Sequence, residues 1–253
     1  MSVVAAYNFA QSGNIATDFG PDGHHLNLSG SAGVQTTGGR FGPALGKTGA
    51  AMPTLPVGVL TAFHASNTRA VSFWAYGSGT TWWVRCQVDP ETDGTGTFGV
   101  LLLSGNMAGQ VRDASQNLAL RPQAAPPGAE QHWYLLAYDQ ATGSIDLYRD
   151  NVLTTPGPPN GHSSFAPGTA LSTAAEAINL LESADSTSRL SELRFLTHVP
   201  DATERAVLMA TPVGPPASGV KLWTGSAWTD TPPPRHHDGD AWQTTPAARP
   251  IGT

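Results

Sequence analysis

The 253-residue chain is 40 % hydrophobic but only 13 % charged, and its net charge of −6 comes with no basic cluster, which argues against sequence-independent nucleic-acid binding. Cys86 is the single cysteine, so no intrachain disulfide can form, and no apolar run approaches the roughly 20 residues that a membrane helix needs. With 28 Gly and 21 Pro the chain is punctuated by turns, as many short strands require, and its weakly charged Ser-, Thr- and Gly-rich surface suits an extracellular or virion protein.

The opening MSVVAAYNF lacks the basic start of a signal peptide and alternates as a strand does: Val4, Ala6 and Asn8 on one face, Ala5, Tyr7 and Phe9 on the other. Residues 42–49, GPALGKTG, invite a phosphate-loop reading. It fails because Phe41 stands where that motif needs glycine, and Pro53 leads into another extended segment in place of a helix. Strands are expected at 69–76, 82–88, 98–103, 132–138, 144–149, 177–182 and 189–196, each β-branched or aromatic and bounded by turn residues. Residues 139–144, DQATGS, supply a short hairpin loop, and Asp150-Asn151 a second tight turn.

One helix is expected, at 201–210. Pro200 precedes it, Asp201 can cap it, Glu204 stands three residues later, and Pro212 closes it. Its few apolar residues suit a short helix lying on a sandwich. Residues 213–219, VGPPASG, then read as a linker, and two gapless repeats follow, Lys221 to Pro232 and Arg235 to Pro246, each containing Gly-x-Ala-Trp. The expected organisation is a sandwich over 1–212, the linker, and a repeat arm over 220–253.

HWYLLAYDQATGSIDLYRDNVL, residues 132–153, resembles the central hairpin of laminin-G-like (concanavalin A-like) jelly-roll domains, with Trp133, Tyr138-Asp139, Gly143 and Leu147-Tyr148-Arg149-Asp150-Asn151 in the family's order. Residues 7–30 look like the opening strand and loop of such domains, 38–45 (GGRFGPAL) like a strand start, and 189–208 like the closing strand and helix. The resemblance implies an all-β antiparallel jelly-roll sandwich with one short C-terminal helix. The arm sequence GVKLWTGSAW, residues 219–228, is similar to repeats in minor tail proteins of tailed phages infecting actinobacteria; a Lys-poor composition, with lysine only at 47 and 221, suits a GC-rich genome.

The resemblance implies one Ca2+ at the sandwich rim, with Asp18 and Asp22 in the matching loop. Ser191 replaces the usual closing-strand acid, followed by Glu192, and turn capping by Asp18 and Asp22 is the competing reading. Asp89, Glu91 and Asp93 alternate as a glycosidase pair would, but Pro90 and Gly94 make that stretch a turn; no nucleophile elbow or metal-protease motif occurs, so no enzyme is expected. His24-His25 and His236-His237 are adjacent pairs whose rings would point to opposite faces.

Trp74, Trp133 and Phe195 read as core. Of Trp82-Trp83 one ring should face inward and one outward, the outward ring being a sugar platform or, by preference, a subunit contact. Trp223, Trp228 and Trp242, one or two per short repeat, should be buried against another surface, because such repeats cannot make their own core. The resemblances together imply a virion structural protein assembled in the host cytoplasm. It would sit in the tail rather than the capsid, with other virion proteins, a homo-oligomer (a trimer by analogy) and host-surface glycan as partners. A capsid decoration protein and a secreted carbohydrate-binding or glycan-cleaving module are the alternatives.

Overall fold

The computed structural model describes residues 3–9, 15–28, 33–46, 53–88, 96–119, 123–154, 164–182, 184, 187–214, 221–223, 228–230, 235–237 and 242–244. Strand alternation builds two antiparallel sheets. The first runs β14 (Val152–Leu153), β13 (Ser144–Arg149), β12 (Gly128–Asp139), β6 (Arg69–Gly77), β16 (Arg189–Leu196), β5 (Gly42–Gly46), β4 (Gly33–Gly39), and β1 (Val3–Tyr7) also pairs with β16. The second runs β10 (Leu118–Ala119), β9 (Asn106–Arg112), β8 (Gly96–Leu103), β7 (Trp82–Gln87), β15 (Ala177–Glu182), with β11 (Gln123–Ala124) also on β9. A small hairpin, β2 (Ile15–Ala16) with β3 (Leu26–Asn27), completes the fold. The expected antiparallel sandwich and the eight strand positions read from the sequence are all present.

The sheets pack face to face through the alternate residues of each strand. Phe73, Tyr134, Leu136, Tyr138, Leu193 and Phe195 of the first sheet meet Trp83, Val84, Cys86, Phe98, Val100 and Ile178 of the second in one buried cluster. Phe73 stacks on Trp83 with ring centroids 6.3 Å apart. At Gly109 a Cβ would collide with the Leu136 side chain from the opposite sheet, so the bare backbone is what lets the layers close there.

A second helix departs from the sequence expectation. Residues Val57–His64 form α1, preceded by the extended segment 53–56. Its sequence VGVLTAFH carries no side-chain N-cap and is apolar nearly throughout, so neither capping nor amphipathic signals announce it. Tertiary packing fixes it instead. Val59, Leu60 and Phe63 are buried, and the Phe63 ring meets Phe98 of one sheet and Phe195 of the other edge-on, each at 5.3 Å.

The expected helix, α2 (Ala202–Ala210), is present and lies on the outer face of the first sheet. The Asp201 carboxylate accepts from the Glu204 N–H at 2.8 Å. The Glu204 carboxylate pairs with His198 Nε2 at 2.7 Å instead of returning to the cap. Leu208 is buried, and the Arg205 guanidinium sits 4.1 Å over the Tyr148 ring.

Strand β16 carries a bulge. Ser191 opposes Trp74, yet Arg194 opposes Ser72, so β16 accommodates one extra residue, and Glu192 there adopts φ 53. The bulge aims buried Glu192 at the chain beyond α2, where its carboxylate accepts from the Val213 N–H. Asn8 Nδ2 donates to the Val213 carbonyl at 2.6 Å, and Arg194 donates to Leu208 O and Thr211 O. Val213 is thus held at both its N–H and its C=O.

The chain divides into two compact units, Ser2–Val213 and the segment from Gly214 on. In the latter, each repeat is a β-hairpin: β17 (Lys221–Trp223) pairs with β18 (Trp228–Asp230), and β19 (Arg235–His237) with β20 (Trp242–Thr244). Trp223 stands opposite Trp228, and His237 opposite Trp242. The contacts expected of these tryptophan side chains lie outside what is described.

Candidate functional site

The outer face of the first sheet is built from the residues that do not enter the core. Trp133 and Trp74 are cross-strand partners there, Ser191 continues the row on β16, and Leu135, Ser72 and Arg194 form the next row. Trp74 and Trp133 are buried, as the sequence suggests, but on this outer face and not between the sheets; Phe195 is in the inter-sheet core. α2 covers the half carrying Tyr148 and Arg194.

The turn between β4 and β5 covers the other half and lies across three strands. Gln131 Nε2 on β12 donates to Gly38 O at 2.9 Å, and the Arg40 N–H donates to Ser191 Oγ on β16 at 3.3 Å. Between them, the Arg40 guanidinium stands 4.9 Å over the Trp74 ring on β6 and 5.8 Å over Phe41. Phe41 meets Trp74 edge-on at 6.5 Å. Gly38 and Gly42 take φ 102 and 142, backbone that side-chain-bearing residues rarely adopt, so glycines bracket the turn.

Arg40 is exposed, and none of the described hydrogen bonds or ion pairs uses its guanidinium. Phe41 is 39 % exposed, the only aromatic ring among the exposed large hydrophobic side chains described. Arg189 adds a second cation on the same face, its Cγ within 3.8 Å of where a Gly38 Cβ would stand. A planar cation edged by an aromatic face can grip an oxyanion while the ring stacks on C–H groups. In the sequence, GGRFGPAL resembles only a strand start, and nothing local marks Arg40 and Phe41 as a patch.

The residues named from the sequence fall elsewhere. Asp18 is buried. Its Oδ1 accepts from the Ala6 and Gly20 N–H groups, each at 2.7 Å, and its Oδ2 accepts from the His24 N–H at 2.8 Å. That carboxylate ties the opening loop to β1. Asp22 is exposed, 4.0 Å from His24 Nε2. No group of three or more His, Cys, Asp or Glu among the described residues is placed to hold a metal ion. Asp89, Glu91 and Asp93 lie outside the described residues.

Trp83 faces inward, as one of the pair should. Trp82 faces outward on the second sheet but is only 4 % exposed, so it offers no open platform. It clusters with Leu101, Leu103 and Ala108, with the Arg85 guanidinium 5.2 Å over its ring. Arg85 in turn binds both oxygens of Glu182, at 2.8 and 2.6 Å. Gly96 makes this packing feasible, since a Cβ there would press on Trp82 and Arg85. Gln87, Gln110 and Asn179 complete a buried polar layer on that face.

No protein-family model and no curated protein matches the chain. Solved structures resemble it in fold. The receptor binding domain of botulinum neurotoxin C/D mosaic serotype superposes with a TM-score of 0.57 at 10 % identity, covering 83 % of this chain and 51 % of that one. The binding domain of Paraclostridial Mosquitocidal Protein 1 gives 0.55 at 10 % identity over 82 % and 51 %. Trypanosoma rangeli sialidase in complex with 2,3-difluorosialic acid gives 0.55 at 10 % identity over 83 % and 33 %. The chain therefore spans a third to a half of the length of these proteins, and at such identity the likeness is one of fold.

Proposed function

We propose that this chain is a glycan-binding module that works without turnover, carried on the virion of a tailed phage as a minor tail protein. The observation that carries the binding reading is the exposed Arg40–Phe41 pair seated on Trp74. The fold likeness to domains named for receptor binding supports it, as does the chemistry, because saccharides are bound through aromatic faces and planar polar side chains.

The virion placement rests on the C-terminal repeats, whose sequence is similar to phage tail repeats and whose two hairpins each include tryptophan in their short strands. Other virion subunits and a homotrimeric arrangement belong to the same reading. The full chain on a glycan array should bind a defined set of glycans, and Arg40→Ala and Phe41→Ala should each abolish the signal with unchanged far-UV circular dichroism. An array that stays blank for the parent protein sinks the binding reading. Absence of the chain from purified particles sinks the virion reading.

A further inference from the structure

The charge and donor pattern of this face narrows the ligand. The whole chain carries −6, yet the Gly38–Gly42 turn holds Arg40 exposed with no carboxylate partner among the described residues, and Arg189 lies beside Gly38. Buried Arg85, by contrast, is paired with both oxygens of Glu182. Among the described residues the Arg40 guanidinium has two aromatic neighbours, the Trp74 ring at 4.9 Å and the Phe41 ring at 5.8 Å.

An exposed guanidinium with no acid partner among the described residues complements an anionic, acceptor-rich group, and its planar fork matches a carboxylate.

We infer that the glycan bound by the Arg40–Phe41–Trp74 patch carries a carboxylate, as uronic and nonulosonic acids do. The carboxylate docks bidentately on the Arg40 guanidinium, Arg189 adds long-range attraction, and the C–H face of the sugar ring lies on Phe41. This inference rests on the glycan-binding reading above and adds the chemical class of its ligand.

Isothermal titration of the full chain with four probes tests it: sialyllactose, a hyaluronan tetrasaccharide, a keratan sulfate tetrasaccharide, which carries sulfate but no carboxylate, and lactose. At least one of the two carboxylate-bearing probes should bind more tightly than lactose. That binding should weaken by about tenfold or more in Arg40→Ala and by less in Arg40→Lys, which keeps the charge but not the fork. It should also weaken as salt rises toward about 0.5 M, since exposed charge pairs are screened. Arg40 is exposed, so the variants should keep the parent melting temperature. Lactose binding equal to that of the acidic probes, unchanged by Arg40→Ala, overturns the inference and leaves glycan binding standing. Binding of the sulfated probe alone overturns the carboxylate assignment. No binding by any probe, together with a blank array, removes both.

Discussion

Replacing Glu192 by glutamine separates charge from hydrogen bonding at the point where the sandwich ends. The carboxylate is 2 % exposed and accepts from the Val213 N–H; burial is the main force on it, partly opposed by that N–H and by Arg194, and it pushes the group from 4.5 up to about 7. Below pH 4.5 the carboxyl is protonated folded and unfolded, so it costs nothing. Between 4.5 and 7 the folded state holds a proton that the unfolded state releases, so stability falls as pH rises. Above pH 7 the cost is complete, about 3 kcal/mol for this span.

Glutamine keeps an acceptor for Val213 and removes the titration. Glu192→Gln should therefore gain about 3 kcal/mol over the parent at pH 8 and under about 1 kcal/mol at pH 5. For a unit of this size that is a Tm gain of about 6–12 °C at pH 8. The comparison must be variant against parent, because His64 works in the opposite direction. Burial pushes it down to about 4, so the stability it contributes is present above pH 6.5 and is lost as pH falls toward 4. Thermal melts at the two pH values read the difference directly. Parallel Tm–pH curves for parent and variant would refute the reasoning.

Three further outcomes are expected. Gly99→Ala places a Cβ against the Val84 carbonyl, which is backbone, whereas Gly109→Ala meets the end of the Leu136 side chain, which can turn aside; urea titration should show Gly99→Ala to be the more destabilising, by at least about 1 kcal/mol. Cys86 is fully buried and its thiol is pushed up to about 12, so a disulfide reagent should label it only at the rate of unfolding; rapid labelling of the folded chain contradicts that placement. Asp201→Ala removes the cap on α2 and should cost about 1 kcal/mol in a chemical melt, while Asp201→Asn should cost far less.

The strands were legible because their signal is local: period-two alternation bounded by Gly, Pro, Asp and Asn. Strand β9 was not, since NMAGQVR offers little β-branched content and its Gly109 sits at an inward position that only the opposing Leu136 explains. Helix α1 escaped for a similar reason, being fixed by Phe98 and Phe195 from distant strands. The patch was illegible because Arg40 and Phe41 acquire their meaning from Trp74, Gln131 and Ser191, which only the folding of the turn across β16, β6 and β12 brings beneath them. Trp82 misled because outward on a strand did not mean exposed: Arg85, anchored by Glu182, lies over it.

A glycan docked on the Arg40–Phe41–Trp74 face would perturb the indoles beneath it. Seven tryptophans give seven indole N–H signals, so titrating the 15N-labelled chain with a glycan that it binds locates the contact. The account predicts that the Trp74 signal shifts most, with Trp133 beside it, and that Arg40→Ala removes both shifts. Shifts confined to Trp82, or to Trp223, Trp228 and Trp242, would contradict it.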